Sequence, residues 1–307
     1  DNDYDPDNRI KEVESSRDSE IWDSDARYSY YDHGPLKRIE IGDDFLQGLD
    51  YVYTVNGWLK SINSTEHERT FDRFDPGNDQ KSTSKYVHDQ FGMQLGYHEN
   101  DYYSDSGYEF MNSAGSNHLF SEPSSNLFNG NISNWEISYH KQVLSATGDA
   151  VKQRFGNKFR YDVLGRLTSN TFMEATQNSN SYTTGFTSSP TLGEYNTNYI
   201  YDPNGNFNTL QRRGPQNAGG TDAAMDNIEY YYETGNNRLN YANDGVGKSF
   251  TTDLGLQFPN NYSYTELGEL ETDRSESSTI TWTPDGKVRK IELGSGNLSQ
   301  IEFYYDA

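Results

Sequence analysis

A frame of seven residues recurs along this chain and limits what it can become. An aromatic residue stands at position zero, a turn residue at plus four and an apolar residue at plus six. The frame fits Tyr4/Asn8/Ile10, Tyr30/Gly34/Leu36, Tyr53/Gly57/Leu59, Tyr161/Gly165/Leu167, Tyr201/Gly205/Phe207, Tyr264/Gly268/Leu270 and Trp282/Gly286/Val288. In six of these seven copies the residue at minus two is also apolar or aromatic: Tyr28, Tyr51, Phe159, Tyr199, Tyr262 and Ile280. Residues two apart share one face of a strand, so each copy opens as a strand with two large side chains on one side. Asp202-Pro203-Asn204-Gly205 then has the preferred order of a type I turn. The aspartate can cap it, proline has φ already fixed, and glycine takes the left-handed conformation that closes a bulged hairpin. An eighth copy is stretched, with Tyr230 and Tyr232 ahead of Gly235 and Leu239, and a ninth opens at Phe303-Tyr304-Tyr305-Asp306. This self-similarity predicts a repeat architecture, in which one hairpin buries its apolar face only when neighbours stack beside it.

Composition tests that reading. Apolar residues make up only 32% of the chain and the formal charge is -22, a balance that raises the question of disorder. The chain nevertheless carries 25 Tyr, 15 Phe and 4 Trp, placed in period-two contexts, and aromatic side chains cover large area per residue. Order is therefore expected. The acidic excess disfavours nucleic acid and anionic membrane surfaces as partners. The absence of cysteine excludes disulfides and thiolate metal sites. No apolar run approaches the roughly 18 residues of a membrane-spanning helix, so no membrane insertion is expected.

Tyr161-Asp162-Val163-Leu164-Gly165-Arg166-Leu167 resembles the YD repeat of the RHS (rearrangement hot spot) proteins and teneurins. Tyr4 to Ile10, Tyr31 to Leu36 and Asp50 to Leu59 each resemble stretches of secreted bacterial RHS proteins. The resemblance covers both ends and matches residues 63 to 158 only loosely. It implies an all-β fold of YD-repeat hairpins in a large spiralling sheet, a hollow shell or cocoon. The single expected domain, 1–307, divides into repeats at 1–62, irregular hairpins and loops at 63–158, and repeats again at 159–307. The chain opens just ahead of one copy and stops within another, so it is expected to be an excerpt of such a shell.

Along the chain, Ile21-Trp22 is expected to re-enter a sheet after the Ser15–Ser19 loop. Asp75 to Asp79 reads as a turn, and Ser104 to Asn126 as polar loop. Phe91 to Tyr97 and Trp135 to Tyr139 alternate as strands, and Leu127 to Ser133 reads as strand, turn and strand. Gln177 to Asn198 and Arg213 to Asn227 read as long tips or loops, with one helical turn expected at Ala223-Ala224-Met225. No segment sustains a 3.6-residue apolar period, so no helical domain is expected.

Catalytic chemistry finds little footing. Asp202-Pro203-Asn204-Gly205-Asn206 looks like the start of a calcium loop, but the twelfth position is Arg213 rather than a bidentate acid. None of the histidines (His33, His67, His88, His98, His118, His140) forms the i, i+4 pair of a zinc protease, and only Glu66-His67-Glu68 is acid-flanked. No nucleophile elbow or phosphate loop is present. The expectation is no enzyme, no cofactor and no metal. The residues singled out are structural anchors: Tyr4, Tyr30, Tyr53, Tyr161, Tyr201, Tyr264 and Trp282, with Gly34, Gly57, Gly165, Gly205, Gly268 and Gly286 at the turns.

The resemblance implies a non-catalytic wall of a secreted or surface-exposed bacterial protein that encloses a C-terminal toxin or effector, as in polymorphic toxins. The implied partners are adjacent repeats and that cargo, with secretion or surface-anchoring proteins (a type IX system among them) as further partners. Two other classes stand beside it. One is an adhesin or glycan-binding module, marked by open ring faces at Trp58, Trp135 and clustered tyrosines. The other is a carbohydrate-active hydrolase, marked by two close carboxylates in a pocket of residues 63–158.

Overall fold

The computed structural model describes residues 1–43, 46–63, 65, 89–98, 101–102, 126–141, 151–175, 186–188, 193–215, 224–246, 253–294 and 299–306. Every regular element among them is a β-strand. The chain divides into two compact units, Asp1–Thr191 and Leu192–Ala307.

In the first unit the strands are β1 (Asn2–Tyr4), β2 (Ile10–Ser15), β3 (Asp23–Tyr30), β4 (Leu36–Ile41), β5 (Gln47–Tyr53) and β6 (Leu59–Ile62). They continue with β7 (Phe91–Gly96), β8 (Asn134–Lys141), β9 (Val151–Tyr161), β10 (Leu167–Ala175) and β11 (Phe186–Ser188). Each pairs antiparallel with the next in chain order. In the second unit β12 (Thr197–Tyr201), β13 (Phe207–Arg213), β14 (Ala224–Tyr232) and β15 (Leu239–Asp244) follow the same rule. There β16 (Tyr262–Tyr264), β17 (Leu270–Asp273), β18 (Ser278–Trp282), β19 (Val288–Leu293) and β20 (Ser299–Glu302) form a five-stranded antiparallel sheet. Within each unit sequence neighbours thus become sheet neighbours, as hairpins in series require, except that β15 and β16 belong to separate sheets.

The register repeats with the sequence frame. Position zero pairs with position plus six in Tyr4↔Ile10, Tyr30↔Leu36, Tyr53↔Leu59, Tyr161↔Leu167, Tyr201↔Phe207, Tyr264↔Leu270 and Trp282↔Val288, and the register shifts beside each pair. The shift is a bulge that absorbs one residue of the turn and increases local twist. Tyr232 pairs with Leu239, one residue further on, which accounts for the stretched copy.

The interior has an unusual make-up. Among the described residues the buried apolar side chains are Val52, Leu95, Tyr97, Met173, Ile228 and Ala242, while nineteen polar or charged residues are equally buried. Most rings are half-buried and meet across strands, as in Tyr201–Phe207 at 5.0 Å, Phe207–Tyr230 at 5.9 Å and Phe155–Phe172 at 5.7 Å between centroids. Such cross-strand pairs are worth roughly 0.2–1 kcal/mol each. On β8 the more deeply buried face is the polar one, Asn134, Glu136 and Ser138, while Tyr139 on the aromatic face is exposed.

Several local expectations need correction. Ile21 and Trp22 lie outside the sheet, 69% and 44% exposed, and pairing resumes at Asp23. Leu127 to Ser133 contains a turn but no strand, and β8 starts directly after it. Ala224 and Met225 open β14 rather than a helical turn, because pairing of Arg213 with Ala224 outweighs local helix propensity, a weak determinant even for alanine. The two polar excursions are also shorter than expected: β12 begins at Thr197, and Arg213 and Ala224 already belong to strands. Asp75 to Asp79, Glu66-His67-Glu68, His88, His118 and Ala223 lie outside the described residues.

Candidate functional site

The turns themselves are built alike. In all seven copies the N–H at plus one donates to the carbonyl at plus five, and the N–H at plus four donates to the carbonyl at plus one. In the copy at Tyr53 these bonds are Thr54 N–H to Trp58 O at 2.8 Å and Gly57 N–H to Thr54 O at 2.9 Å. Gly34, Gly57, Gly165, Gly205, Gly268 and Gly286 have φ of 115°, 78°, 77°, 94°, 94° and 77°, and Asn8 in the equivalent place has 62°. This is the left-handed region, which glycine enters without steric cost and asparagine tolerates. A Cβ on Gly57 would meet nothing within 4 Å, so its conformation and not its surroundings calls for glycine.

The residue at plus one locks the turn. Asp162 Oδ1 accepts the N–H groups of Leu164 and Arg166 at 2.9 Å, and its Oδ2 accepts Arg166 Nε at 2.6 Å. Asp5 holds Asp7, Arg9 and the Arg9 guanidinium in the same way. Asp202 accepts the Asn206 backbone N–H at 2.8 Å and its side-chain amide at 2.9 Å. These donors hold the carboxyls of Asp5, Asp162 and Asp202 below the ordinary aspartate range, the Arg9 guanidinium dominating for Asp5, the Arg166 backbone N–H for Asp162 and the Asn206 amide for Asp202. At Asp202 the carboxylate closes its own turn, which is the work of a turn residue and leaves the calcium-loop likeness without support.

Several position-zero rings reach across to the preceding hairpin. Tyr30 Oη donates to Ile10 O at 2.7 Å, Tyr264 Oη to Leu239 O at 2.8 Å, Trp282 Nε1 to Leu270 O at 2.8 Å and Tyr305 Oη to Val288 O at 2.9 Å. Tyr232 Oη likewise donates to Phe207 O at 2.9 Å. The accepting carbonyl belongs to the plus-six residue, the partner of the previous ring. Just before it, a cation often covers the incoming ring: Arg9 over Tyr30 at 4.4 Å, Arg238 over Tyr264 at 5.5 Å and Lys287 over Tyr305 at 5.0 Å. Among the anchors, Tyr4 is half-exposed at 48%, and Tyr53 and Tyr201 stand at position zero with their plus-six partners paired as above.

The ladder has two further rungs that the sequence frame passes over. Tyr161 Oη donates to Ile132 O at 2.8 Å, and Gly130, two residues earlier, has φ of 86°. Gly130 and Ile132 thus stand as the plus-four and plus-six residues of a turn whose Leu127 N–H donates to Tyr97 O at 2.8 Å. Tyr97 Oη donates to Leu59 O at 2.8 Å, and Asp101 N–H closes onto His98 O at 3.2 Å, without the left-handed φ of the frame's glycines. The recurring offset from Gly130 to Ile132 is the one signal in the sequence that marks the first of these.

Beside the ladder runs a line of buried ion pairs. Lys60 Nζ meets Asp101 Oδ1 at 2.6 Å with both side chains 1% exposed, and Asp101 Oδ2 accepts the Tyr97 N–H at 2.9 Å. Burial holds the Lys60 ammonium below the ordinary lysine range, against the pull of Asp101. Arg38 binds Asp50 at 2.5 Å, and Arg154 binds fully buried Glu136 at 2.5 Å. Asp101 and Glu136, carboxylates of the 63–158 stretch where a hydrolase pair was sought, are thus each committed to a cation.

Of the rings expected to mark an open binding face, the two tryptophans are largely covered, while Tyr231 and Tyr304 among the tyrosines are exposed. Trp58 packs on Tyr97 at 5.0 Å and lies against Gly130, whose added Cβ would come within 3.2 Å of the indole. Trp135 meets Phe159 at 6.4 Å and its Nε1 is shut off from solvent. Of the described histidines, His33 sits by Tyr31 and His98 stacks on Phe128 at 4.5 Å.

Burial raises the Tyr31 and Tyr97 phenols to about 12. A folded-state value above the ordinary 10 means that the neutral rings stabilise the fold below pH 10, and that this contribution is lost as pH rises from about 10 through about 12. Spectroscopic titration of tyrosinate should therefore show a late class that ionises together with loss of sheet signal. A Tyr97→Phe variant should lose part of that class, and ionisation of every tyrosine near 10 with the sheet intact would contradict the burial described.

No protein-family model matches the chain, and no curated protein does. Solved structures similar to it include a crystal structure of TcdB2-TccC3-TEV, at 14% identity and a TM-score of 0.37, covering 98% of this chain and 14% of that one. Another is the Tc holotoxin pore of Photorhabdus luminescens with a substituted TccC3, at 12% identity and a TM-score of 0.28, covering 98% of this chain and 18% of that one. The chain thus spans less than a fifth of the length of either match.

Proposed function

We propose that the chain is a stretch of wall in a larger RHS-type β-shell, without catalysis of its own, in a secreted or surface-exposed protein that encloses a toxin or effector segment. The observation that carries this reading is the ladder. Tyr30, Tyr161, Tyr232, Tyr264, Trp282 and Tyr305 each spend a hydroxyl or indole N–H on the backbone of the preceding hairpin, and several of them are capped by a cation from the same place. Rings used in this way join hairpins to one another, which is the task of a wall. The scarcity of buried apolar residues supports the same reading, since a wall with water on either side needs no thick apolar core.

The glycan-binding reading is less well supported, because Trp58 and Trp135 are packed against other rings. The test is protease protection in the full-length protein. The polypeptide enclosed by the repeats should resist digestion while the sheet is native and become cleavable once the sheet is melted. Equal digestion of that polypeptide before and after melting would overturn the enclosure.

A further inference from the structure

One carboxylate cluster in the second unit takes no part in the ladder. Asp226 lies near the start of β14 and Asp244 ends β15. Ile228 pairs with Asp244, so Asp226, two residues from Ile228, shares a sheet face with Asp244. Asp253 joins them from beyond β15, and one carboxylate oxygen from each residue lies within 4.8 Å of the other two. Asp226 and Asp244 are only 5% and 6% exposed.

The local donors leave one buried oxygen of this cluster bare. Arg212 Nε donates to Asp226 Oδ2 at 2.6 Å. Asp244 Oδ1 accepts the N–H groups of Asn227 at 2.9 Å and Val246 at 3.0 Å, and Asp253 Oδ1 accepts the Leu254 N–H at 3.0 Å. Asp244 Oδ2 is buried and receives no donor. A carboxylate oxygen stripped of water and left bare among like charges is costly. A cation among the three groups removes that cost.

We propose that Asp226, Asp244 and Asp253 form a calcium site that ties Asp253 to the β14–β15 hairpin. The donors are all hard oxygens with no histidine or cysteine, as calcium or magnesium prefers. Calcium–oxygen distances of about 2.3–2.6 Å place two ligands at most about 5 Å apart, and oxygens within 4.8 Å of one another fall inside that limit. Magnesium, at about 2.0–2.1 Å, demands a stricter octahedron and gives up its water reluctantly, so an all-protein carboxylate cluster favours calcium.

The test compares calcium-induced shifts in melting temperature, and calcium affinity by calorimetry, for the wild-type chain, Asp244→Asn and Asp253→Asn. Asparagine at 244 keeps an oxygen for the two backbone N–H groups, and circular dichroism verifies its fold. Asp253→Asn changes the least buried ligand and serves if Asp244→Asn fails to fold. In the wild type, 10 mM calcium chloride should raise the melting temperature by several degrees over the chelated state. Either variant should bind at least about tenfold more weakly and lose most of the shift. Diffuse binding to so acidic a chain acts alike on all three proteins, so an equal shift in the wild type and both variants would overturn the site. An equal or larger shift with magnesium would overturn its assignment to calcium.

Discussion

Replacing Asp101 with asparagine should destabilise the protein by about 3–5 kcal/mol, the typical cost of leaving one member of a buried ion pair without its partner. The geometry makes this pair a demanding case. Lys60 and Asp101 are each 1% exposed and 2.6 Å apart, and burial already presses Lys60 toward its neutral form. Asparagine still accepts the Tyr97 N–H, so the loss isolates the charge rather than the turn. Lys60→Met added to Asp101→Asn should recover most of the loss, because a neutral pair no longer holds an unpaired ammonium. Denaturant melts of the two single variants and the double variant measure this coupling. Purely additive losses would show that the two side chains do not act as a pair.

A valine at Gly57 or Gly205 should cost roughly 1–2 kcal/mol, the steric penalty of the left-handed region for an L-residue. Asparagine at the same positions should cost much less, since Asn8 already occupies the equivalent place with φ of 62°. Gly57 is the cleaner site because nothing lies within 4 Å of an added Cβ. If glycine were there to admit a neighbour or a bound sugar, asparagine and valine would be about equally harmful. Equal losses for Gly57→Asn and Gly57→Val would therefore refute the turn geometry on which the repeat rests.

The parts of this fold legible in the sequence are those determined within seven residues. Pairing of zero with plus six and closure by the plus-one and plus-four groups depend on turn chemistry alone, so Tyr161 to Leu167 announces its own hairpin. The bridging hydroxyls are different, since Tyr264 and its acceptor Leu239 are 25 residues apart. Lys60 and Asp101 are separated by 41 residues, and the stretch between them shows no clear frame. The Gly130 turn is hidden in the sequence because the ring that adjoins it, Tyr97, whose carbonyl accepts the Leu127 N–H, lies far ahead of it in the chain. The helical turn expected at Ala224 fails for a related reason, because local propensity is weak beside a strand partner supplied from Arg213. The aspartate cluster was invisible for the same cause, since only β14–β15 pairing brings Asp226 and Asp244 together.

Cryo-electron microscopy of the full-length protein tests the central claim most directly. The account predicts the hairpins of residues 1–62 and 159–306 as consecutive rungs of a curved wall, around a cavity that holds non-repeat polypeptide. Hairpins packed face to face into a solid sandwich, with their rings turned to solvent or to a bound glycan and no enclosed volume, would contradict it.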